Sequence, residues 1–223
     1  VDKIAIIPNG VDIDLYDSIK KIDNKEKIII GTVVRVVPIK DVKTFIKAAK
    51  IVAAEIPEAE FYIIGPDDED EEYYDECVEL VDEYDLTDKI IFTGRVKMTD
   101  YYPLIDILVL TSVREAQPLV LLEGMMVGMP CVATDVGCCK EMLANLGFIT
   151  TPGKAEETAE AIIRLCKNKQ MREDLLKKGK EMVRLQYNVK DVINSYRDIY
   201  LKYSAYKIEK QLASHGRNRI STT

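Results

Sequence analysis

The sequence predicts an α/β domain in which a parallel sheet carries helices on both faces, followed by a helical C-terminal extension. From residue 27 onward, short runs of β-branched residues alternate with longer segments whose apolar residues recur at helical spacing. The strand-like runs are apolar throughout, which is typical of strands buried on both faces of a parallel sheet. Regular alternation of such strands with helices predicts a doubly wound, Rossmann-like sheet.

Six strand-like runs follow one another between residues 27 and 150. They are Lys27–Val34, Glu60–Ile64, Lys89–Thr93, Asp106–Thr111, Pro130–Thr134 and Gly147–Thr150. A further strand-like segment, Lys3–Pro8, opens the chain. Because ligands of doubly wound sheets bind beyond the carboxyl ends of the strands, we expect the functional residues in the loops that follow these runs.

Helical segments separate the strands and then continue to the C-terminal region. In the first segment, Asp41 is a favoured N-cap, apolar residues follow at helical spacing from Val42, and Pro57 ends the helix. The other predicted helices are Glu71–Tyr84, Thr99–Ile105, Leu119–Gly128, Lys140–Ala144, Ala155–Lys167, Gln170–Arg184 and Val189–Tyr206. We expect one domain over residues 1–203 and a polar, frayed tail over residues 204–223.

The composition excludes several classes of function. A net charge of -7 argues against a general nucleic-acid-binding protein, whose binding surface would be basic. The only histidine, His215, lies in the polar tail, so we expect neither a catalytic histidine nor a histidine-bound metal. The cysteines lack C-x-x-C spacing, and the sequence shows neither a bilayer-spanning apolar run nor a signal-peptide pattern. We therefore expect reduced thiols in a cytoplasmic protein.

Two glutamates, Glu115 and Glu123, follow the strand Asp106–Thr111. Glu115 lies in the loop at the strand end, and Glu123 falls in the next helix, on the side that can face the same crevice. Pro118 lies where that helix begins, and the unpaired amides of a helix start favour an anion or a sugar hydroxyl. Two carboxylates suit the vicinal hydroxyls of a sugar and a ribose. Taken alone, two glutamates at this spacing are common, and the pattern by itself favours ordinary surface carboxylates.

Two cations, Arg35 and Lys40, flank Pro38 just after the strand Lys27–Val34. A fork-shaped guanidinium and a mobile ammonium bind the concentrated negative charge of a diphosphate well, and they can stabilise a departing diphosphate without a metal. Taken alone, an arginine and a lysine in one loop more often belong to the solvated surface. However, the basic pair and the acidic pair both lie at carboxyl ends of strands in one predicted sheet, and this coincidence favours a shared ligand site.

Several motifs resemble the C-terminal domain of GT-B glycosyltransferases of family 4. In chain order they are Ile7-Pro-Asn-Gly-Val-Asp12, the pair Arg35 and Lys40, Gly65-Pro66, and Glu115-x7-Glu123. Other segments resemble the PelF-like branch of this family even more closely. This branch serves Pel exopolysaccharide synthesis and uses UDP-glucose. These segments are Val36–Asp41, Gly65–Asp70, Leu110–Ser112, Glu115–Leu119 and Ala133–Cys138. The resemblance extends over nearly the whole chain.

The resemblance implies a retaining hexosyltransferase whose donor is a nucleotide sugar, UDP-glucose by the PelF-like likeness, with no metal or other cofactor needed for donor binding. Arg35 and Lys40 would hold the diphosphate, and Glu115 would accept hydrogen bonds from the donor sugar. Glu123 would hold the ribose hydroxyls. Two backbone segments would complete the site: the helix start at Ala116, Gln117, Pro118 and Leu119 beside the sugar, and the loop Gly94, Arg95 and Val96 at the base. The family has no agreed enzymic nucleophile, and this sequence offers no Ser-His-Asp or Cys-His set.

Two departures from the family pattern bear on function. Val34 stands where members usually have glycine before the arginine, and its Cβ could crowd phosphate or acceptor. The chain begins at Val1, where the family's second domain begins, so we expect a fragment or a processed product without the N-terminal acceptor domain. Lacking an oriented acceptor and water exclusion, the isolated chain is expected to bind donor without completing transfer. Any peripheral membrane association would come through the full-length protein.

Two alternatives remain open on the sequence. The first is a non-catalytic module that binds a nucleotide sugar or regulates a partner. The second is a GT-B epimerase acting on UDP-N-acetylglucosamine, which ranks lower because such enzymes rely on acidic and histidine residues that are not found here. In GT-B proteins the last helix packs on the N-terminal domain, so in this fragment it would either fold back locally or expose an apolar face, Val192, Ile193, Tyr196 and Ile199. Exposure of this face predicts self-association of the isolated chain.

Overall fold

Six parallel strands form one sheet in the computed structural model, which describes residues 4–22 and 26–217. The strands are β1 (Ile28–Val33), β2 (Ala59–Ile64), β3 (Ile90–Phe92), β4 (Ile107–Leu110), β5 (Cys131–Thr134) and β6 (Gly147–Thr150). Their order across the sheet is β3-β2-β1-β4-β5-β6, and every neighbouring pair is parallel. The predicted parallel α/β sheet is confirmed.

The strand order changes direction between β1 and β4. From β1 the chain moves outward to β2 and β3, and it then returns to β4 and moves outward on the other side. Right-handed crossovers in opposite directions place their helices on opposite faces of the sheet. The carboxyl ends of β1 and β4 therefore lie side by side at the switch point, where doubly wound sheets bind their ligands.

Nine α-helices surround this sheet in the described part of the chain. They are α1 (Ile13–Asp17), α2 (Val42–Glu55), α3 (Glu71–Glu83), α4 (Met98–Tyr101), α5 (Leu119–Val127), α6 (Cys139–Leu143), α7 (Ala155–Lys167), α8 (Lys169–Gln186) and α9 (Val189–Arg217). Helix α2 packs against α3 and α7, whereas α5 packs against α1 and α8. Helices α2, α3 and α7 thus form the layer on one face of the sheet, and α1, α5 and α8 form the layer on the other face.

Local packing fixes the two helices that follow the central strands. Asp41 caps α2, as predicted, because its side chain accepts a hydrogen bond from the Thr44 amide. Helix α5 approaches β4 closely because Gly124 faces Leu108: a Cβ at Gly124 would lie 2.4 Å from the Leu108 side chain. The starts of both helices are thereby fixed at the switch point.

The N-terminal segment differs from the prediction. Residues 4–10 form no strand, and Ile4 and Ile6 are exposed. The prediction was wrong because the apolar alternation of this segment finds no neighbouring strand; Lys3 lies outside the described residues. Helix α1 follows instead, capped by Asp12, whose side chain accepts a hydrogen bond from the Leu15 amide.

Two helix boundaries also differ from the prediction. Helix α4 ends at Tyr101 rather than Ile105: its C-cap Tyr102 still has helical backbone angles, but Pro103 has no amide hydrogen with which to extend the helix. Helix α9 continues to Arg217, so the predicted end at Tyr206 was wrong; residues such as Lys207, Glu209 and Leu212 favour helix by intrinsic propensity. The rest of the expected tail, residues 218–223, lies outside the described residues. Among the described helices, none combines the length and the apolar character required to cross a bilayer.

Candidate functional site

A crevice of about 410 Å³ lies beyond the carboxyl ends of β1, β2 and β4, and the last residue of each of these strands lines it. Arg35, Lys40 and Glu115 line the same crevice. The structure therefore brings three of the five predicted charged site residues together at the switch point. Arg35 and Lys40 come from the loop after β1, and Glu115 comes from the loop after β4.

Lys40 and Glu115 form an ion pair inside the crevice. The Lys40 Nζ atom lies 2.5 Å from Glu115 Oε1, and only 19% and 11% of the two side chains are exposed. The Ser112 hydroxyl donates to the same oxygen over 2.7 Å. Because both donors reach Oε1, the second carboxylate oxygen of Glu115 is left for another donor.

Hydrogen bonds from the loop after β4 hold the Lys40 loop in place. The Thr111 hydroxyl donates to the carbonyl oxygen of Asp41 over 2.9 Å, and the Val113 amide donates to the carbonyl oxygen of Ile39 over 3.0 Å. Asp41 itself adopts left-handed backbone geometry, with φ 47° and ψ 52°. Aspartate tolerates this geometry better than most residues. The turn therefore directs Lys40 inward and starts α2 directly afterwards.

Arg35 is more exposed and is paired with an acid. Its Nη1 atom lies 2.7 Å from Glu69 Oε2, and 52% of the side chain is exposed. Glu69 belongs to the acidic run Asp67–Glu72, and Asp68 of the same run pairs with Arg95 over 3.4 Å. The run also begins a helix, since the Asp70 side chain caps α3. The ion pairs were missed because they join residues far apart in the chain.

The start of α5 forms another wall of the crevice. Gln117, Pro118 and Leu119 line it, and Pro118 occupies the N-cap position without a capping side-chain hydrogen bond. Asn9 lines it as well: its amide donates to Gln117 Oε1 over 2.6 Å, and its side chain donates to the Gln117 carbonyl oxygen over 3.1 Å. Asn9 was missed as a site residue, although it lies in the Ile7–Asp12 motif.

Gly137 allows the loop after β5 to pack against the Glu115 loop. Its φ is +54°, and a Cβ there would lie 2.4 Å from the carbonyl oxygen of Glu115 and 2.5 Å from that of Ala116. The Cys138 amide and thiol each lie 3.0 Å from the Ala116 carbonyl oxygen. Ala116 thus contacts the loop after β5 through its carbonyl oxygen, and it is not among the residues that line the crevice. The position of Glu115 consequently depends on a glycine that sequence reasoning did not single out.

Glu123 is not among the residues that line the crevice. Its Oε2 accepts a hydrogen bond from the Tyr102 hydroxyl, and the Tyr102 ring packs 5.9 Å from that of Tyr16. Burial together with the charge of Glu123 raises the pKa of both tyrosines. Glu123 lies one helical turn along α5 from Leu119, which does line the crevice.

The remaining predicted positions lie at the margin of the site. Gly94, Arg95 and Val96 follow β3 and are not among the lining residues; Gly94 has a φ of +63° and faces the Asp67 carboxylate. Val34 lines the crevice but is only 7% exposed, because its side chain packs into the core. In the part of the chain that the structure describes, no cluster of three or more His, Cys, Asp or Glu residues is arranged to hold a metal ion.

Comparison with known families assigns the chain to one of them. The family model described as "Glycosyl transferases group 1" matches residues 16–182, which include the whole sheet and each charged residue of the crevice. The chain belongs to this family. The group 1 assignment confirms the predicted family, and the six-stranded sheet matches that of GT-B glycosyltransferase structures.

Two curated relatives are longer proteins that the chain covers in part. N-acetyl-alpha-D-glucosaminyl L-malate synthase of Bacillus anthracis is 25% identical over 165 residues, which cover 73% of this chain and 42% of that protein. UDP-Gal:alpha-D-GlcNAc-diphosphoundecaprenol alpha-1,3-galactosyltransferase of Escherichia coli is 26% identical over 213 residues, which cover 89% of this chain and 54% of that protein. The chain thus spans about half the length of the curated relatives it matches.

A solved structure shares the same fold. HepE of Anabaena in complex with UDP-glucose superimposes with a TM-score of 0.81 at 21% identity, covering 89% of this chain and 57% of that one. At this level of identity the likeness concerns the fold. The two chains therefore share the parallel α/β fold.

Proposed function

We propose that this chain is the donor-binding domain of a retaining hexosyltransferase whose donor is a nucleotide sugar, with UDP-glucose as the first candidate. The observation that carries the proposal is the Lys40–Glu115 ion pair beside Arg35 in one crevice at the switch point. Two cations and one carboxylate suit a ligand that combines a diphosphate with a sugar rich in hydroxyls.

Arg35 and Lys40 bind the diphosphate in this proposal. A guanidinium binds phosphate oxygens through two parallel hydrogen bonds, and the Lys40 ammonium can bind a phosphate oxygen while it keeps Glu115. When the bond from the sugar to the diphosphate breaks, negative charge develops on the leaving group. Two fixed cations stabilise that charge without a metal ion. This is the catalytic contribution assigned to Arg35 and Lys40.

Glu115 orients the donor sugar. Lys40 and Ser112 occupy its Oε1, so its Oε2 accepts hydrogen bonds from sugar hydroxyls. The amide groups of Gln117 and Leu119, at the start of α5, add donors on the same side of the crevice. Because Lys40 and Ser112 already hold the Glu115 side chain, it loses little conformational freedom when the ligand binds.

Glu123 and the loop over Gly94, Arg95 and Val96 receive the nucleoside. Glu123 accepts from the ribose hydroxyls, one helical turn from the crevice, and the loop after β3 contacts the base. The complex of HepE with UDP-glucose and the UDP-Gal named for the E. coli relative support a uridine nucleotide. The PelF-like motifs favour glucose and an exopolysaccharide or glycoconjugate as product, made in the cytoplasm.

Transfer requires a partner domain in this proposal. The chain spans about half of its relatives, and the crevice opens to solvent, so the facing wall and the acceptor site come from the family's N-terminal domain. We therefore expect donor binding without transfer from the isolated chain. The alternative is a non-catalytic nucleotide-sugar-binding or regulatory module. A transfer assay on the full-length protein separates the two, because only an enzyme forms product.

Isothermal titration calorimetry of the chain with UDP, UDP-glucose, GDP-mannose and ADP-glucose tests donor binding. The proposal expects the tightest binding for the uridine nucleotides, unchanged by EDTA, and roughly tenfold or greater weakening in Arg35→Ala. The exposed Arg197→Ala serves as a control that lies outside the crevice. If the wild type binds no nucleotide at millimolar concentration, the donor assignment is wrong. If Arg35→Ala binds the nucleotides as tightly as the wild type, Arg35 does not belong to the phosphate site.

A further inference from the structure

A carboxylate and two phenols form a cluster next to the crevice. Tyr102 is fully buried and donates its hydroxyl hydrogen bond to Glu123 Oε2. Tyr16 is half-buried, and its ring packs on that of Tyr102 with a centroid distance of 5.9 Å. The cluster therefore surrounds the second glutamate of the Glu115-x7-Glu123 motif with neutral donors.

The cluster continues the wall of the crevice. Tyr102 follows Met98 by one turn of α4, and Glu123 follows Leu119 by one turn of α5. Both Met98 and Leu119 line the crevice. A ligand that extends from the switch point between these two side chains therefore reaches the partly exposed Glu123 next, with the buried Tyr102 behind it.

The two phenols of the cluster are hydrogen-bond donors. Burial first, and then the charge of Glu123 and a hydrogen bond with it, raise the pKa of both Tyr16 and Tyr102. Both hydroxyls consequently keep their protons at neutral pH and act as donors. An ionised carboxylate offers about four acceptor positions, so positions on Glu123 remain for further donors.

We propose that Tyr102, supported by Tyr16, is a positioning residue that fixes the Glu123 carboxylate for a vicinal diol of the ligand. The diol is that of the ribose if the chain binds a nucleoside diphosphate, so this inference rests on the proposed function. Tyr102 does not contact the ligand itself. It holds one carboxylate oxygen so that the other faces the space beyond Met98 and Leu119.

Calorimetry of the full chain with UDP and with 2′,3′-dideoxy-UDP measures the contribution of the diol directly. We expect the wild type to prefer UDP by roughly tenfold, the equivalent of about 1.4 kcal/mol for a pair of hydrogen bonds. Tyr102→Phe is expected to abolish most of this preference by weakening UDP alone, and Tyr16→Phe to reduce it by a smaller factor. Tyr101→Phe is the matched control, since the Tyr101 ring packs on Tyr62 rather than on Glu123.

Thermal melting establishes which variants fold. A folded Tyr102→Phe that keeps the full preference for UDP overturns the inference and leaves the donor site intact. If Tyr102→Phe does not fold, Tyr16→Phe decides, and an unchanged preference overturns the inference. Equal affinity of the wild type for both nucleotides also overturns it. A wild type that binds neither nucleotide overturns the proposed function first, and the inference with it.

Discussion

Lys40 and Glu115 come from loops after two different strands, and their side chains meet at 2.5 Å inside the crevice. Both are mostly buried, and Ser112 donates to the same carboxylate oxygen. The pair joins the loops after β1 and β4 at the switch point. It therefore fixes the geometry of the site before any ligand arrives.

Loss of Lys40 should cost stability as well as affinity. Lys40→Met leaves the Glu115 carboxylate buried without its cation, and we expect the free energy of unfolding to fall by about 2–4 kcal/mol. Urea denaturation measures this change. Lys27→Met, which breaks the exposed pair between Lys27 and Glu60, is the control and should have a much smaller effect. Equal losses in the two variants contradict the structural role of the buried pair.

Gly137 should be required for the position of Glu115. Gly137→Ala places a Cβ against the Glu115 carbonyl oxygen, whereas Gly153→Ala, also at positive φ, meets no atom within 4 Å. Both variants incur backbone strain of about 1 kcal/mol. The difference in their ligand affinities therefore reports the contact of the new Cβ with the Glu115 carbonyl oxygen. We expect Gly137→Ala alone to weaken UDP-glucose binding, by roughly tenfold or more in calorimetry. Similar binding by both variants argues against this role.

Glu69 should compete with the ligand for Arg35. The Arg35–Glu69 ion pair must open before the guanidinium can hold a diphosphate, and half of the Arg35 side chain is exposed. Glu69→Gln is therefore expected to tighten UDP binding by about two- to fivefold, an effect that shrinks at high salt. Glu72→Gln, in the same acidic run, is the control. Weaker binding by Glu69→Gln indicates that Glu69 assists the ligand instead.

Lys21 should make stability depend on pH. Burial lowers the pKa of its ammonium to about 8 from 10.5, although Asp106 opposes the shift. Between these values the unfolded chain binds the extra proton, so the free energy of unfolding rises with pH from about 8 upward. Burial raises the pKa of several tyrosines, which reverses the trend at still higher pH.

Lys21→Met tests this dependence. The variant removes the cost of burying a charge, so we expect it to be more stable near neutral pH by about 1–3 kcal/mol. The rise between about pH 8 and pH 9.5 should flatten as well. Urea denaturation across this range, with the exposed Lys20→Met as the control, measures both effects. A wild type whose stability does not rise in this window contradicts the assignment.

Helix α9 should promote self-association of the isolated chain. Ile193, Tyr196 and Ile199 recur at helical spacing on it and are 59%, 49% and 42% exposed. An exposed apolar stripe of this kind favours association. Sedimentation velocity at increasing concentration is expected to show oligomers for the wild type, and Ile193→Glu with Ile199→Glu to abolish them. Leu185→Glu on α8 is the control, and a wild type that stays monomeric contradicts the prediction.

Local signals in the sequence predicted most of the fold. Asp41 and Pro57 bounded α2 because capping and proline geometry act within a few residues. Continuous apolar runs located all six strands, since burial on both faces leaves little choice of residue. The N-terminal segment failed because its alternation is also local, whereas a strand requires a neighbour.

The site was predicted less completely, since much of it depends on contacts between distant residues. Arg35, Lys40 and Glu115 were found from their positions at strand ends. Their partners were not, because Glu69 and Asn9 reach the site only after the chain folds. Glu123 was expected to face the crevice, and the structure gives it a tyrosine partner one turn away.

The most direct measurement of the central claim is a crystal structure of the chain with UDP-glucose. The account predicts diphosphate oxygens within hydrogen-bonding distance of Arg35 and Lys40, and a hydroxyl of the glucose on Glu115. A nucleotide bound elsewhere on the molecule, or one whose diphosphate avoids both cations, would contradict it.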